Sequence, residues 1–215
     1  ANYVNAYAFP GGSIAATRGI LLELDNEAQL CALLGHEIAH VSARHTASNM
    51  TVSIVSQLAL AGAAWFIEQK NAEYASVAAG LGTIAMGGLL AFYSRSDERQ
   101  ADSLGMNYMT QAGLNPRGMV GLMDMLRQMH DKKPSALEMM FATHPMSEER
   151  YLTAVHKAEN EYAYAAEYPV NRERYLDSTY RLRSIKKAVE HLQKGEAQMH
   201  QEQFFKAEEH FSRAL

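Results

Sequence analysis

The sequence predicts an α+β fold, mainly α-helical with a small β-sheet, for a chain of 215 residues. Two short runs rich in β-forming residues, 3–9 and 13–24, flank a Pro-Gly-Gly turn and predict a hairpin or neighbouring strands. The later segments place apolar residues at helical spacing behind capping residues. A chain of this length can bury a full core and still carry a helical extension.

The composition narrows the classes of function. The formal net charge is −4 and no basic cluster stands out, so we expect no nucleic-acid partner. The single cysteine, Cys31, cannot form a disulfide within the chain and therefore does not indicate a redox compartment. The sequence begins with Ala1 and without a signal-like start, so we expect an upstream segment to have been removed or left out.

The segment 33–44 carries the clearest chemical motif, because His36, Glu37 and His40 form an HExxH string. Residues four apart on a helix project from the same face, so two imidazoles can bind one metal ion while Glu37 reaches a water molecule beside it. Two histidines and a carboxylate that face the same direction inside a core would be costly to bury without a cation. The motif therefore predicts a catalytic zinc site on a helix capped by Asp25 or Asn26.

The apolar residues of this helix predict which of its sides faces the core. Small alanines flank the histidines, and larger apolar residues lie on the opposite side: Leu30, Cys31, Leu34, Ile38 and Val41. We expect this apolar side to be buried.

Two apolar runs, 52–67 and 74–93, are separated by a short polar stretch and predict a helical hairpin. The second run has no charged residue and is long enough to span a bilayer. The pair either inserts into a membrane through 52–93 or forms buried, closely packed helices. The soluble arrangement is favoured because the first run is short and the Gly and Ala content suits close helix contact.

A further helix beginning near Ser94 supplies a candidate third ligand. Glu98 and Asp102 lie four residues apart on one face, and Ala101 and Gly105 on the same side leave room for a second helix to approach. Two such carboxylates ordinarily belong to a solvated face. The HExxH pair lacks a third protein ligand, however, and Glu98 is the best-placed candidate.

The following segment is predicted to contain a second helix and a loop. Gly113 is expected to end the helix that carries Glu98, and Pro116 to open the next. We predict a loop over 131–142, after which His144 is held extended by the proline that follows it. Ser147 is expected to cap another helix.

The remainder of the chain, 151–215, is helical and charged. Its last part places glycine, aromatic and small residues as a tetratricopeptide repeat does, at Gly195, Phe204, Ala207, Phe211 and Ala214. We predict a metal-binding domain over 1–165, a helical linker over 166–192 and the truncated start of a tetratricopeptide-like repeat over 193–215. An ordinary amphipathic hairpin is the alternative for the last part.

Four motifs together resemble a known family. HEIAH, SRSDERQAD, QAGLNP and THPMSEER, in this order, are similar to motifs of the HtpX and CaaX-prenyl-protease zinc metalloendopeptidases (metallopeptidase family 48, gluzincins). The likeness covers about residues 5–150. It implies a zincin-like fold with an HExxH helix and a helical C-terminal extension, as in the family's soluble bacterial envelope members with tetratricopeptide-like helices.

The resemblance also implies a role for individual residues. It makes His36, His40 and Glu98 the ligands of one Zn²⁺ ion and Glu37 the catalytic acid and base. It further implies that Asp102 orients a ligand histidine, that His144 and Arg150 steady the oxyanion, and that Asn5 is an edge-strand substrate contact, although Asn5 matches more loosely. His144 has an alternative role, because a neutral imidazole beside zinc could occupy the water position and hold the enzyme off.

The function that the resemblance implies is zinc-dependent cleavage of unfolded or misassembled polypeptides, in quality control in the bacterial periplasm or cell envelope. The C-terminal helices are candidates for binding a protein partner. The alternatives are a chaperone-like or scaffolding module with a closed structural metal site, and a metal-dependent hydrolase of a non-peptide substrate. No second metal site is expected, because the remaining histidines lack paired ligand spacing and read as surface or packing residues: His45, His130, His156, His191, His200 and His210.

Overall fold

The computed structural model describes residues 3–9, 11–68, 93–132 and 134–215. Over these residues the chain is mainly helical with one small sheet, which confirms the predicted fold class. The strands are β1 (Ala6–Ala8) and β2 (Ile14–Ala16). The helices are α1 (Arg18–Glu23), α2 (Glu27–Ser42), α3 (His45–Glu68), α4 (Arg95–Gln111), α5 (Arg117–Lys132), α6 (Pro134–Thr143), α7 (Glu148–Glu159), α8 (Arg172–Ser184), α9 (Lys186–His200) and α10 (Phe204–Ala214), with a short 3-10 turn at Ala163–Ala165.

The two strands form an antiparallel hairpin, as the Pro-Gly-Gly turn predicts. Ala6 lies opposite Ala16 and Ala8 lies opposite Ile14. Gly12 in the connecting turn has a φ of 95°, a left-handed conformation that glycine adopts at little cost. Strand β1 lies along α2 and so borders the helix that carries the HExxH motif.

The second predicted β run, 13–24, is wrong beyond residue 16. Residues 18–23 form α1 because the Thr17 side chain accepts a hydrogen bond from the backbone N–H of Ile20 and caps the helix. The helical backbone also buries Ile20 and Leu22 in the core. Burial of these two side chains outweighs the weak β preference of the segment.

Helix α2 is the central element, and α4, α5 and β1 pack around it. The Asn26 side chain accepts a hydrogen bond of 2.9 Å from the backbone N–H of Gln29, which is the predicted cap. Gly105 of α4 lies directly against α2, since an ideal Cβ at that position would be only 2.8 Å from the backbone nitrogen of His36. The close approach predicted from the small residues of α4 is therefore confirmed.

The predicted burial of the α2 face opposite the histidines is wrong. Ile38 on that side is 45% exposed, and Leu30, Cys31, Leu34 and Val41 are only half-buried. The histidine side is the enclosed one, because α4 and α5 pack there against Ala32, Leu33 and Ala39. Small residues on that side allow the backbones to approach, and tight helix contact buries polar and apolar side chains alike.

The apolar run 52–67 lies within α3, whereas the run 74–93 lies outside the described residues except for Tyr93. Val52 and Leu58 of α3 are more than half exposed, which differs from the burial predicted for the first run. Within the described segments, no helix combines the length and the apolar character that crossing a bilayer needs.

Helix α4 begins and ends as its sequence predicts. The Ser94 and Asp97 side chains each accept a hydrogen bond from the other residue's backbone N–H, which is a capping box. At the other end Gly113 has a φ of 78° and donates its N–H to the carbonyl of Thr110. The N–H of Leu114 reaches further back, to the carbonyl of Met109, and completes a Schellman motif.

The predicted loop over 131–142 is wrong, because most of it forms α6. Pro134 occupies the first turn of the helix, where its missing N–H costs nothing. Leu137 and Met140, three residues apart on one face, are buried in the main core. The helix ends at Thr143, so His144 lies outside it as predicted, but His144 forms a bend whose N–H still donates to the carbonyl of Met140 at 2.6 Å.

Most of the segment predicted as a helical linker is helical, from residue 172 onward, and its helix α8 is hydrogen-bonded to α1. The Tyr175 hydroxyl donates to the carbonyl of Leu21 at 2.6 Å. The Arg183 guanidinium donates to the carbonyls of Leu22 and Leu24 at 3.0 and 2.8 Å. These bonds satisfy carbonyls at the end of α1 and join the C-terminal helices to the metal-binding part. The domain boundaries themselves stay a prediction.

Candidate metal centre

Four buried side chains from three parts of the chain meet at one point. His36 and His40 come from α2, Glu98 comes from α4, and His144 comes from the segment after α6. Their ligating atoms all lie within 4.8 Å of one another. The structure thus brings the three predicted ligands together and adds His144 to them.

The spacing of these atoms suits a tetrahedral metal ion. Nε2 of His40 is 3.0 Å from Nε2 of His36 and 3.2 Å from Oε1 of Glu98. Nδ1 of His144 is 3.1 Å from the same Glu98 oxygen and 3.4 Å from Nε2 of His36. Ligands bound at roughly 2.0–2.1 Å to a tetrahedral zinc are about 3.3 Å apart. The donor set therefore has the size and chemistry of a site for a tetrahedral divalent metal ion.

Glu37 gives independent support for a cation at this point. Its carboxylate is fully buried, and among the described residues neither of its oxygens has a hydrogen-bond partner. Within the described part of the chain, the one basic nitrogen within 4 Å of this carboxylate is Nε2 of His144, which is 3.6 Å from Oε1 of Glu37. A buried carboxylate without donors is costly, and a nearby positive ion would remove that cost.

The electrostatics hold two of the donors, Glu98 and His40, in the forms that bind a cation. Burial raises the pKa of Glu98, but the charge of His36 and hydrogen bonds from His144 and His40 outweigh it and bring that pKa well below its usual range. Burial lowers the pKa of His40 to about 4, so this imidazole is neutral near pH 7. An ionised carboxylate and a neutral imidazole are the species that ligate metals.

Asp102 lies behind one of the predicted ligands. Its Oδ1 is 3.0 Å from Nδ1 of His36, so the two can share the proton that leaves Nε2 of His36 free. Arg150 holds the same carboxylate through Nε and Nη2, each at 2.7 Å. The structure places Asp102 where the resemblance implies a histidine-orienting residue.

Arg150 faces protein groups rather than an open part of the site. Its Nη1 is 2.5 Å from Oε2 of Glu98 and donates to the carbonyl of Pro145 at 2.9 Å, while its other two nitrogens bind Asp102. In this arrangement the guanidinium positions two carboxylates of the site. That contact set differs from the predicted oxyanion role of Arg150, which stays a prediction.

Asn5 is fully enclosed at the start of β1. Its side-chain Oδ1 accepts from the N–H of Ala6 at 2.9 Å, and its own N–H donates to the Thr17 hydroxyl at 3.0 Å. These bonds join the start of β1 to the residue that caps α1. A contact between Asn5 and substrate stays a prediction.

Two residues that the sequence did not single out touch His40. His45, expected to be a surface or packing residue, is buried with its Nδ1 3.0 Å from Nδ1 of His40. The Tyr93 ring stacks on the His40 imidazole at 3.7 Å between centroids, and its hydroxyl lies 2.7 Å from the Thr46 hydroxyl. The only sequence signal for His45 is its position five residues after His40, and no local pattern marks Tyr93.

A buried HExxH helix that meets a carboxylate from a second helix defines a zincin-type metallohydrolase. The sequence matches the profile of Peptidase family M48 over residues 1–158. The chain belongs to this family and is a metallopeptidase domain, which confirms the resemblance seen in its motifs.

Named relatives agree with this assignment. The chain is 33% identical to a putative beta-barrel assembly-enhancing protease of Vibrio cholerae over 156 residues, which cover 68% of the chain and 31% of that protein. It is 29% identical to the metalloprotease YcaL of Escherichia coli over 150 residues, 68% of the chain and 55% of the relative. It is 30% identical to the mitochondrial metalloendopeptidase OMA1 of Schizosaccharomyces pombe over 148 residues, 68% of the chain and 41% of the relative. The chain thus spans between a third and about half of the length of these relatives.

Proposed function

We propose that this chain is the catalytic part of a zinc-dependent endopeptidase that hydrolyses peptide bonds in unfolded or misassembled polypeptides. One observation carries the proposal: the unpartnered carboxylate of Glu37 lies beside the cluster of His36, His40 and Glu98. A structural metal site has no use for a buried, unpaired carboxylate next to its ligands. A hydrolytic site needs such a group as its base.

His36, His40 and Glu98 would hold the ion, and Arg150 and Asp102 would orient these ligands. When bound, zinc polarises the scissile carbonyl and lowers the pKa of water toward neutrality. Glu37 accepts a proton from the attacking water and delivers it to the leaving amine. Its burial serves this purpose because a carboxylate without competing donors keeps both oxygens free for the transferred proton.

His144 has two candidate roles, and the geometry favours the latch. Its Nδ1 lies 3.1 Å from Glu98 and 3.4 Å from Nε2 of His36, which is the position of a fourth ligand. We propose that the structure represents a resting state in which His144 fills the place that substrate and water need. Cleavage then requires the segment that carries His144 to move away, after which its imidazole could serve as an oxyanion donor.

Relatives support a location in the bacterial envelope. The Vibrio cholerae relative and a 31% identical Escherichia coli relative are named for beta-barrel assembly. Barrel proteins of this kind lie in the bacterial outer membrane. We therefore propose a role in the quality control of envelope proteins, with misassembled polypeptides as substrates.

The C-terminal helices α9 and α10 are proposed to be a tetratricopeptide-type hairpin that binds a protein partner. Gly195 of α9 lies against the Phe211 ring, and Ala207 of α10 is fully buried. These are the small-against-aromatic contacts on which such repeats depend. The hairpin leaves Phe205 90% exposed, so its outer side still offers apolar surface.

A scaffolding protein with a structural zinc site is the second candidate function. The observation in its favour is that His144 completes a closed set of four ligating atoms. Under this alternative the metal stabilises the fold and nothing is cleaved.

Casein digestion tests the proposal against the alternative. Wild type, Glu37→Gln and the surface control Glu149→Gln are compared with and without a chelator, and the zinc content of each protein is measured. We expect chelator-sensitive cleavage by wild type and Glu149→Gln, and none by Glu37→Gln that has retained its zinc. Equal cleavage by Glu37→Gln would refute the mechanism, whereas absence of cleavage by both zinc-loaded wild type and zinc-loaded His144→Ala, in which the latch is removed, would favour the scaffold.

A further inference from the structure

His45 is a buried histidine that the mechanism above does not use. It is the first residue of α3, only five residues after the predicted ligand His40. The two imidazoles meet edge to face, with ring centroids 5.0 Å apart and an interplanar angle of 72°. This contact lies on the side of His40 that faces away from the proposed metal position, because Nε2 of His40 is the atom in the ligand cluster.

The backbone between α2 and α3 brings His45 back to His40. Arg44 has a φ of 59°, a left-handed conformation that a non-glycine residue rarely adopts. This residue reverses the chain at the end of α2, so that α3 starts beside the last turn of α2. A conformation that is locally unfavourable persists only where the surrounding structure maintains it. Here it is associated with the contact between His45 and His40.

The hydrogen bonds around His45 form a chain with a defined direction. Nδ1 of His45 is 3.0 Å from Nδ1 of His40, and Nε2 of His45 is 3.1 Å from Oε1 of Gln100. A metal ion on Nε2 of His40 requires the His40 proton to be on Nδ1. That N–H must then donate to an unprotonated Nδ1 of His45, which places the His45 proton on Nε2, facing the Gln100 oxygen. Every donor in this chain meets an acceptor.

The opposite arrangement fails at His40. With its proton on Nδ1, His45 would point an N–H at the N–H of His40, and two donors would then face each other in a buried contact, where unpaired polar groups are costly. Gln100 is exposed and its amide can rotate to meet either form of Nε2, so the contact with His40 decides between the two arrangements. The surroundings of His45 therefore select one tautomer of each histidine.

We infer that His45 is a positioning residue, which accepts a hydrogen bond from the Nδ1–H of His40 and so keeps Nε2 of His40 free and oriented for the metal ion. The inference rests on the proposed zinc site. It gives His45 the same role toward His40 that Asp102 has toward His36, which is to accept a hydrogen bond from the ring nitrogen that does not bind the metal. Each ligand histidine thus has its own acceptor, a carboxylate for one and a second imidazole for the other. Gln100 of α4 fixes the second imidazole in turn.

Two substitutions of nearly equal size isolate the acceptor. His45→Asn places an amide oxygen where Nδ1 of His45 lies, and His45→Leu removes the acceptor. Both variants lose the bond to Gln100, so a difference between them reports on His40 alone. Zinc affinity is measured by competition with a chromophoric chelator, the visible spectrum is recorded after Co²⁺ substitution, and the metal-free proteins are melted thermally.

We expect His45→Leu to bind zinc more weakly by about 10–100-fold, the usual effect of losing a partner behind a ligand. His45→Asn should retain most of the wild-type zinc affinity and the wild-type Co²⁺ spectrum. The two variants should have the same melting temperature in their metal-free forms. Equal affinity of His45→Leu and wild type would overturn the inference, as would an equal loss in both variants. A wild type that binds no zinc would instead refute the proposed function itself.

A measurement on the wild type covers the case in which the variants fail to fold. Nitrogen-15 NMR of the zinc-loaded protein distinguishes the protonated nitrogen of each imidazole. We expect His40 to carry its proton on Nδ1 and His45 to carry its proton on Nε2. A proton on Nδ1 of His45 would contradict the inference.

Discussion

Gly35 of α2 and Gly105 of α4 are in direct backbone contact, and this contact sets how closely the ligand-bearing helices approach. An ideal Cβ on Gly35 would lie 2.9 Å from the carbonyl oxygen of Gly105. The atoms that a side chain would meet belong to the main chain and cannot rotate away. The two helices are therefore as close as their backbones allow, which lets Glu98 of α4 reach the two histidines of α2.

Gly105→Ala is expected to weaken both folding and metal binding. The added methyl group would lie 2.8 Å from the backbone nitrogen of His36, so α4 must shift away from α2 and carry Glu98 with it. Overpacking of this kind destabilises by about 1–3 kcal/mol. Urea unfolding of the metal-free protein and zinc competition measure the two effects. Ser103→Ala on the same helix is the control, and an unchanged zinc affinity in Gly105→Ala would argue against this account.

The bond between Asp102 and Arg150 is expected to make stability depend on pH in the acid range. Burial raises the pKa of Asp102, but hydrogen bonds from Arg150 and the contact with His36 outweigh it and bring the pKa below its ordinary value. The folded protein thus binds fewer protons at Asp102 than the unfolded chain does. The stabilisation is present above about pH 3.9, the value for an unperturbed aspartate, and is lost as the pH falls through the folded-state pKa.

Asp102→Asn tests this dependence. At pH 7 the free energy of unfolding of the variant should be about 3 kcal/mol lower than that of wild type, because the substitution leaves the buried guanidinium of Arg150 without its main partner. The difference should shrink as the pH falls below 4. Urea titrations in the presence of a chelator measure it, and the exposed carboxylate variant Glu149→Gln serves as the reference. A difference that stays constant from pH 7 to the acid range would contradict the pairing.

His144→Ala is expected to separate the two roles proposed for His144. If its imidazole is the fourth ligand, as the 3.1 Å contact with Glu98 indicates, the variant should bind zinc more weakly. At saturating zinc its basal casein cleavage should equal or exceed that of wild type, because the position for water is then open. A loss of about 10²–10³-fold in kcat at saturating zinc would instead indicate an oxyanion donor. His130→Ala, a histidine packed on Phe141, is the control.

Gly195→Ala is expected to destabilise the C-terminal hairpin without changing zinc binding. A Cβ at Gly195 would overlap the Phe211 ring, and such overpacking costs about 1–3 kcal/mol. Phe211→Leu provides the space that the methyl group needs, so the double variant should be more stable than the sum of the two single changes implies. Thermal melting measures this coupling. Strict additivity would show that the two residues do not pack as the structure has them.

Local patterns predicted those parts of the fold that depend on neighbouring residues. The caps at Asn26 and Ser94 and the left-handed glycine at 113 were predictable because each involves hydrogen bonds within one helical turn. The common direction of His36 and His40 follows from helix geometry in the same way. The small residue Gly105 also indicated, from the sequence alone, that a second helix could approach α4 closely.

Patterns alone failed where burial by distant elements decided the conformation. Residues 18–23 include β-forming residues yet form a helix, because Thr17 caps this helix and Ile20 is buried in the core. The pattern predicts a loop over 131–142, but most of this segment forms α6, which buries Leu137 and Met140 in the core. The pattern within α2 does not predict its buried side, because α4 and α5, which enclose the histidines, come from later in the chain.

The order of residues along the chain was thus enough to predict a two-histidine metal motif with its base, and the family to which it belongs. Which other side chains surround this motif was decided by the tertiary structure. Tyr93 stacks on His40 from 53 positions away, and His45 reaches it only through the left-handed turn at Arg44. Contacts of this kind leave no periodic trace in a sequence, because they arise from the meeting of separate helices rather than from the geometry of one.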